Sequence, residues 1–173
     1  MEFFDVVRER RSIRAFKKKE IEEEKIRKIL EAANSAPSAG NRQAYEIILV
    51  KDNERKKALA AATYGQDFIA EAPIVLIFCI NPKRSAMRYG KRGELYCHQD
   101  ATIAASYAQL AVTALGLGSV WVGAYDDEGV CKIINAPKEM RPIAIIPIGY
   151  PDEKPLKTFR RKIEDIVHKE ILR

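Results

Sequence analysis

The stretch PIVLIFCI, residues 73–80, decides the fold because its apolar residues follow one another with no charged residue between them. A strand that is covered on both faces has this uninterrupted pattern, whereas a half-exposed strand alternates. Further strands are predicted elsewhere along the chain, at 45–50, 119–124 and 143–149. Pro147 lacks a backbone N–H and therefore favours an edge or a bulge in the last of these strands.

Helices are predicted between and around the strands, at 2–9, 22–36, 53–63, 99–116, 127–135 and 163–171. The spacing i, i+3, i+4, i+7 of an amphipathic helix is clearest in 22–36, at Ile26, Ile29, Leu30 and Ala33. Strands and helices do not alternate strictly, which favours an α+β fold with a central mixed or antiparallel sheet flanked by helices. Since no repeat or linker divides the sequence, we predict one domain over residues 1–173.

Two helical segments carry more specific expectations. Segment 99–116 has alanines on nearly every side, which is typical of a helix in the centre of a fold or at a subunit interface. Asp100 is a favourable residue type for its N-cap. Segment 82–96 is polar, basic and contains glycine, and it predicts a mobile loop or a short helix.

The composition excludes several classes of protein. The chain has 173 residues, of which 47% are hydrophobic and 31% charged, so it has enough apolar material for a packed core and does not resemble a disordered chain. It has no apolar run of the ~18 residues that a membrane span needs, and its first residues lack a secretory pattern. Three widely spaced cysteines predict small buried side chains in a cytoplasmic protein. A redox role for Cys97 or Cys131 stays open.

Positive charge is concentrated at the two ends of the chain. The formal net charge is +6, and residues 8–19 alone carry seven Lys or Arg against one Glu. Residues 154–173 carry seven Lys or Arg against three acidic residues. Nucleic-acid binding usually needs a broader basic stripe or interleaved aromatic residues. We therefore expect a discrete phosphate site, with no nucleic-acid partner and no membrane.

Four segments contain candidate binding residues. The first is RRSIRAF (10–16), whose guanidinium groups and Ser12 hydroxyl suit a phosphate, although a solvated basic helix end explains it equally well. The second is SAPSAGNRQ (35–43), whose small residues let the backbone approach a flat ligand. Taken alone, the second segment is more typical of a plain turn.

The other two segments lie nearer the C-terminus. The third is GLGSVWVGA (116–124), where Gly123 and Ala124 could present backbone N–H groups to an electron-rich acceptor. The fourth is IPIGYP (146–151), followed by Lys157, Arg160 and Arg161. Motifs for nucleotide-binding glycine loops, zinc proteases and serine hydrolases are absent from the sequence. With His98 and His168 as its only histidines, the chain does not predict a catalytic triad or a metal site.

The order of these segments, ending in IEDIVH (163–168), resembles the nitroreductase family of FMN-dependent NAD(P)H oxidoreductases over the whole chain. The resemblance implies a homodimer with two FMN molecules in the subunit interface, each touched by both chains. It assigns the FMN phosphate to Arg10, Arg11, Ser12 and Arg14, with Arg160 or Arg161 returning to it. It assigns the ring edge and face to Pro37, Ser38, Ala39, Asn41, Gln43, Val122, Gly123 and Ala124.

The same resemblance implies a reaction. NADH or NADPH would give a hydride to FMN and leave, and a small-molecule acceptor such as a nitroaromatic, a quinone or a flavin would then take the electrons in a ping-pong sequence. No side chain need act as acid or base, because the cofactor performs the chemistry.

Other readings remain open at this point. They are a family member with different flavin chemistry (dehalogenation or flavin fragmentation), a flavin-storing dimer without turnover, and a phosphate- or nucleic-acid-binding module without a redox role. Ala44-Tyr45 also stands where the family often has Pro and Trp, so the shape of the ring-side pocket is not transferred.

Overall fold

A four-stranded antiparallel sheet forms the centre of the computed structural model, which describes residues 1–172. Its strands are β1 (Tyr45–Val50), β2 (Ile74–Ile80), β3 (Gly118–Ser119) and β4 (Arg141–Gly149), in the spatial order β1-β2-β4-β3. β2 pairs with β1 from Val75↔Val50 to Ile80↔Tyr45, and with β4 on its other side. The predicted α+β class is confirmed.

The helices are α1 (Phe3–Glu9), α2 (Glu23–Asn34), α3 (Asn53–Ala62), α4 (Phe68–Glu71), α5 (Pro82–Tyr89), α6 (Gly93–Ala114) and α7 (Asp127–Ile133). Short 3₁₀ turns occupy Ala39–Asn41, Gly90–Arg92 and Ile163–Asp165. Of the two alternatives for residues 82–96, the short helix is the one observed. The four-residue α4 was not predicted.

Helices cover both faces of the sheet, which explains the continuous apolar run in β2. Leu76 and Phe78 face α2 and α6, whereas Val75 and Ile77 face the side of α3, α4 and α7. All four side chains are fully buried because neighbouring residues of a strand point to opposite faces. The sheet therefore lies between two helical layers.

The alanines of α6 are buried inside the chain. Those with no exposed surface lie on the side that packs against α2 and the sheet, at Ala101, Ala104, Ala105 and Ala108. The helix was predicted to lie either in the centre of the fold or at a subunit interface, and this side of it lies in the centre. Leu95 and Tyr107 remain exposed on the opposite side.

The predicted start of α6 is wrong. The helix begins at Gly93, so Asp100 lies in its second turn and is not its N-cap. Gly93 allows this start, because a Cβ there would lie 2.9 Å from the backbone nitrogen of Ala86 in α5. Asp100 does accept backbone N–H groups, but from another segment of the chain.

The predicted strand at 119–124 is interrupted. β3 contains Gly118 and Ser119, and pairing with β4 resumes only at the isolated bridge between Val122 and Ile145. In this register Val120 lies opposite Pro147, which has no N–H to donate. β4 is an interior strand, so the predicted edge is wrong. A bulge does occur in this strand, but the register shift lies at Ile143 and not at Pro147.

The predicted helix at 163–171 is reduced to the turn Ile163–Asp165. The whole segment from 154 onward makes no regular strand or longer helix within the described residues. Its large apolar side chains are exposed, including Leu156 at 90% and Phe159 at 87%. A short helix needs a packed apolar face to be stable in water, and every residue from 156 to 172 is exposed, so the described tail has no such face.

Up to residue 172, the structure contains no helix that combines the length and the apolar character of a membrane span.

Candidate functional site

Guanidinium groups from both ends of the chain lie together at the end of α1. Arg10 is the C-cap of that helix, and its pKa is lowered by burial and by the positive charges of Arg160 and Arg11. No carboxylate among residues 1–172 lies within 4.0 Å of these three guanidinium groups. We call Arg10, Arg11 and Arg160 the arginine cluster. Uncompensated charges of one sign favour an anionic ligand with several acceptor oxygens, such as a phosphate.

Backbone pairing holds the N-terminal segment beside β3. Ser12 forms a parallel bridge with Ser119, and the amide of Ile13 donates to the Ser119 carbonyl at 3.0 Å. A Cβ at Gly118 would lie 2.7 Å from Cγ1 of Ile13, so a glycine is needed for this close approach. The Ser12 hydroxyl therefore lies two residues from Arg10 on a segment fixed by the sheet.

Two predicted phosphate residues are placed differently. Arg14 is exposed, and it is its backbone amide that is held, by the carboxylate of Glu153. Arg161 donates to the carbonyl of Asp165, in the turn of the tail. Of the two candidates, Arg160 is the one whose positive charge contributes to the lowered pKa of Arg10, after burial of Arg10 itself.

The second predicted segment forms a tight loop between α2 and β1, which we call the 37–43 loop. Gly40, Asn41 and Gln43 have positive φ angles of 53°, 56° and 41°. The side-chain amide of Gln43 donates to the backbone and side-chain oxygens of Asn41, and its backbone amide donates to the Ser38 hydroxyl at 3.0 Å. These internal bonds account for the polar side chains of the loop and fix its unusual backbone.

Asp100 fastens the 37–43 loop to α6, and sequence reasoning missed this role. Its Oδ1 accepts the amide of Ala39 at 2.8 Å and its Oδ2 accepts the amide of Ala44 at 3.3 Å. The side chain is only 2% exposed, so both bonds form away from water. An acidic residue next to the alanine-rich part of α6 is the sequence signal that could have revealed it.

A cleft of about 600 Å³ lies beside the 37–43 loop. Pro37, Ser38 and Ala39 form one side of it, and the first half of α6 forms the other with residues 96, 98–100, 102 and 103. The cleft therefore contains a polar loop edge opposite Tyr96 and Ile103, which suits a flat ligand with a polar edge.

The third predicted segment contains β3 and the residues that follow it. Val122 is buried and bonds in both directions with Ile145, whereas Gly123 and Ala124 are exposed. The Ala124 carbonyl accepts from the side chain of Gln66 at 3.3 Å. In the part of the chain that the structure describes, neither of the amides of Gly123 and Ala124 donates a hydrogen bond to protein, so both can serve a ligand.

The candidate residues form two separate groups along α6. Asp100 holds the 37–43 loop, while Gln109 donates to the hydroxyl of Ser119 at 3.4 Å, next to Ser12 and the arginine cluster. Nine residues of α-helix correspond to about 13 Å. Within one chain, the predicted ring-binding loop and the predicted phosphate-binding arginines therefore lie on different parts of the helix.

The cysteines do not contribute a reactive group to either part. Cys79 and Cys97 are buried and Cys131 is half-buried, all as free thiols. Burial raises the pKa of Cys79 to about 12 and also raises the pKa of Cys97 and Cys131, so the thiols stay protonated near neutral pH. Among residues 1–172 there is no group of His, Cys, Asp or Glu that could hold a metal ion.

Comparison with known proteins gives a consistent result over nearly the whole chain. The Nitroreductase family model matches residues 7–66 and 57–150. A relative from Archaeoglobus fulgidus, provisionally named an NADH dehydrogenase/NAD(P)H nitroreductase, is 38% identical over 84% of this chain and 83% of its own length. A Bacillus subtilis protein named FMN reductase (NAD(P)H) is 32% identical over 92% of this chain and 70% of its own.

A solved structure agrees with these sequences. The NADPH:FMN oxidoreductase from Vibrio harveyi, complexed with NAD⁺, matches with a TM-score of 0.92 and 26% identity. The match covers 99% of this chain and 78% of that one.

Proposed function

Because the chain belongs to the nitroreductase family, we propose that it is an NAD(P)H-dependent FMN oxidoreductase that reduces small organic acceptors. The Bacillus subtilis and Vibrio harveyi relatives, whose names include FMN and NAD(P)H or NADPH, support both the cofactor and the electron donor. We propose nitroaromatics, quinones and flavins as the acceptors, and a ping-pong order in which the oxidised donor leaves before the acceptor enters.

The arginine cluster is the observation that carries the proposal. Arg10, Arg11 and Arg160 come from opposite ends of the chain, and the pKa of Arg10 is lowered by burial and then by repulsion from the other two charges. Such an arrangement costs free energy unless an anion offsets it. The terminal phosphate of FMN supplies two negative charges and several acceptor oxygens, which fits this donor set.

The remaining residues would orient the cofactor. FMN, when bound, would supply the hydride acceptance and the electron transfer to the acceptor. The small residues Pro37, Ser38 and Ala39 would contact its ring edge, and Asp100 would keep that loop in place. The free amides of Gly123 and Ala124 would donate to ring acceptor atoms and favour negative charge there.

The cleft beside the 37–43 loop supports the choice of small acceptors. Its lining is partly apolar, with Tyr96 and Ile103 opposite the loop, and its volume is about 600 Å³. A cleft of this size and lining accommodates a small aromatic molecule. His98, which lines it, is exposed and holds the Glu94 carbonyl with Nδ1, so no catalytic acid is assigned.

We further propose that the enzyme is a homodimer with FMN at the interface. Asp100, which holds the 37–43 loop, and Gln109, which binds Ser119 beside the arginine cluster, are about 13 Å apart along α6 within one chain, so residues from a second copy could complete each site. Large apolar side chains are exposed on α1, on α6 and throughout the tail, including Phe4 at 79% and Tyr107 at 40%. A cytoplasmic location, suited to three free thiols, completes the proposal.

The absorption spectrum of the purified protein tests this function. We expect flavin bands, FMN as the flavin released by heat, and bleaching of the bands when NADH or NADPH is added without oxygen. Addition of a quinone should then restore the spectrum, and initial-rate plots at several quinone concentrations should give the parallel lines of ping-pong kinetics. A protein that neither retains added FMN nor bleaches with either donor would overturn the proposal.

A further inference from the structure

A basic segment lies next to the cleft but is not explained by cofactor binding. We call residues 82–96 the basic cover; it comprises α5, the turn Gly90–Arg92 and the start of α6. It has five Lys or Arg against Glu94 alone, a net charge of +4. The other residues between 20 and 153 sum to −6, so this charge is local.

The basic cover is fastened to the 37–43 loop. Arg84 donates through Nε to the carbonyls of Arg42 and Gln43, both at 3.0 Å, and Arg42 returns a bond to the Arg84 carbonyl at 3.1 Å. A Cβ at Gly40 would collide with the Tyr89 hydroxyl and lie 3.2 Å from Nη1 of Arg88. Arg88 and Tyr89 are therefore in contact with the loop that we assign to the cofactor ring.

Arginines and tyrosines alternate along the outer side of the cover. Arg88 lies over the ring of Tyr89 and Arg92 over the ring of Tyr96, each with 5.6 Å between Cζ and the ring centre. The two rings meet edge to face at 4.9 Å, and Tyr96 also lines the cleft. A continuous surface thus leads from the cleft to Arg88.

Among the described residues, Arg88 and Arg92 have no acidic partner. Lys83 pairs with Glu139, and the guanidinium of Arg84 is occupied by carbonyl groups. Within residues 1–172, no carboxylate lies within 4.0 Å of Arg88 or Arg92, and both are exposed. Exposed guanidinium groups held against aromatic rings are well suited to a phosphate next to a stacked base.

NADPH differs from NADH by a phosphate on the 2′-oxygen of the adenosine ribose, and arginine is the residue type that accommodates this group. A donor whose nicotinamide lies in the cleft must extend its adenosine half out of it, whereas a single-ring acceptor does not reach beyond. Resting on the function proposed above, we infer that Arg88 and Arg92 bind the 2′-phosphate of NADPH, with Tyr89 and Tyr96 beside the adenine. The enzyme therefore prefers NADPH to NADH.

Anaerobic stopped-flow reduction of the FMN-loaded enzyme tests this inference. We measure the ratio of kred/Kd for NADPH to that for NADH in the unaltered chain, in Arg88→Ala, in Arg92→Ala and in the double variant. The unaltered chain should favour NADPH by about tenfold or more, and each single variant should reduce the ratio about tenfold, since a charge-assisted hydrogen bond is lost. Lys83→Ala removes the same charge from the same helix and should retain the ratio.

A second measurement uses the unaltered chain and does not depend on the folding of a variant. Adenosine 2′,5′-bisphosphate should compete with NADPH, whereas adenosine 5′-diphosphate, with phosphates at one end only, should compete at least about tenfold less well. Raising the salt concentration should weaken the 2′,5′ compound more, since exposed charges are screened. Equal inhibition by the two compounds would contradict the inference.

The outcomes separate this inference from the proposed function. If neither donor reduces bound flavin, the proposed function fails. If both donors reduce it with equal kred/Kd, or if the double variant changes both constants equally, the NADPH preference fails and the oxidoreductase stands. If the double variant leaves the donor ratio unchanged but slows reoxidation by an anionic quinone relative to a neutral one, the cover serves the acceptor and the inference is wrong.

Discussion

The carboxylate of Asp100 accepts the backbone amide of Ala39 at 2.8 Å, although 61 residues separate the two in the chain. The same carboxylate takes the amide of Ala44 with its other oxygen. Both ends of the 37–43 loop are therefore fixed to one buried side chain of α6. The conformation of the loop depends on Asp100 as much as on the loop's own sequence.

Replacing Asp100 with Asn should loosen the loop. One oxygen remains, but the new amide group places a donor against a backbone N–H in a buried position, at a cost of about 1–3 kcal/mol. We expect a lower free energy of unfolding in urea and an FMN dissociation constant raised about tenfold or more. Ser106→Ala, at an exposed position of the same helix outside the cleft, is the control; an Asp100→Asn protein that binds FMN normally would contradict the anchoring role.

Arg160 and Arg161 are adjacent, yet they should behave differently. Arg160 is close enough to Arg10 to lower its pKa, whereas Arg161 is turned to the Asp165 carbonyl. We expect Arg160→Ala to raise the FMN dissociation constant about tenfold, because one charge-assisted interaction with the phosphate is lost. Arg161→Ala serves as the matched control, with a change below about twofold expected from flavin fluorescence titration. The reverse result would assign the phosphate to Arg161.

Removal of residues 156–173 should affect assembly as well as cofactor binding. The exposed apolar side chains of the tail, such as Leu156 and Phe159, need a surface to cover them, and we expect that surface to belong to a second copy. Sedimentation velocity should show the full chain as a dimer and the shortened chain shifted towards monomer. Arg160→Ala keeps the apolar residues and should stay dimeric; a dimeric, FMN-loaded short chain would exclude the tail from both roles.

Tyr150 controls the ionisation of Glu22. Its hydroxyl donates to the Glu22 carboxylate at 2.5 Å, and this bond, with smaller contributions from a backbone bond, Lys25 and Lys19, lowers the pKa of Glu22 from 4.5 to about 2. The ionised form is favoured in the folded state, so its contribution to stability is complete above about pH 4.5 and is lost as the pH falls towards 2.

Tyr150→Phe should therefore raise the pKa of Glu22 towards its ordinary value and flatten the loss of stability in that pH range. An NMR titration of the Glu22 side-chain carbonyl measures the pKa directly, and urea unfolding at several pH values measures the stability. Tyr64→Phe, at an exposed tyrosine, should change neither. An unchanged Glu22 pKa in Tyr150→Phe would show that the neighbouring lysines dominate.

Local sequence patterns predicted the elements whose stability is decided locally or by burial on both faces. The apolar run of β2 and the spacing of Ile26 and Ile29 in α2 correspond directly to the buried surfaces that these residues contact. The tail could not be predicted in this way: Ile163 and Val167 suggest a helix, but both side chains are exposed in the described structure, so its apolar side is not packed. Propensity alone does not hold so short a helix.

The candidate site was predictable as residue types but not as geometry. The sequence predicts Asp100 as an N-cap because Asp side chains accept hydrogen bonds from backbone amides. Asp100 does bind two backbone amides, but they belong to residues 39 and 44. The electrostatic contact of Arg160 with Arg10 could not be predicted from local sequence, because it depends on the path of the whole chain around the sheet. The interruption of the pairing between β3 and β4 could not be predicted from local sequence. It depends on Val120 lying opposite Pro147, and these two residues are far apart in the chain.

Helix α6 sets the distance between the two halves of the site. Asp100 and Gln109 bind segments from different regions of the chain. Their nine-residue spacing along one helix fixes the relative position and direction of the two side chains. Inserting or deleting a single residue between them would turn one end by about 100° relative to the other. We therefore expect this part of the helix to keep its length constant in evolution, with substitutions concentrated at its exposed positions and not at its buried alanines.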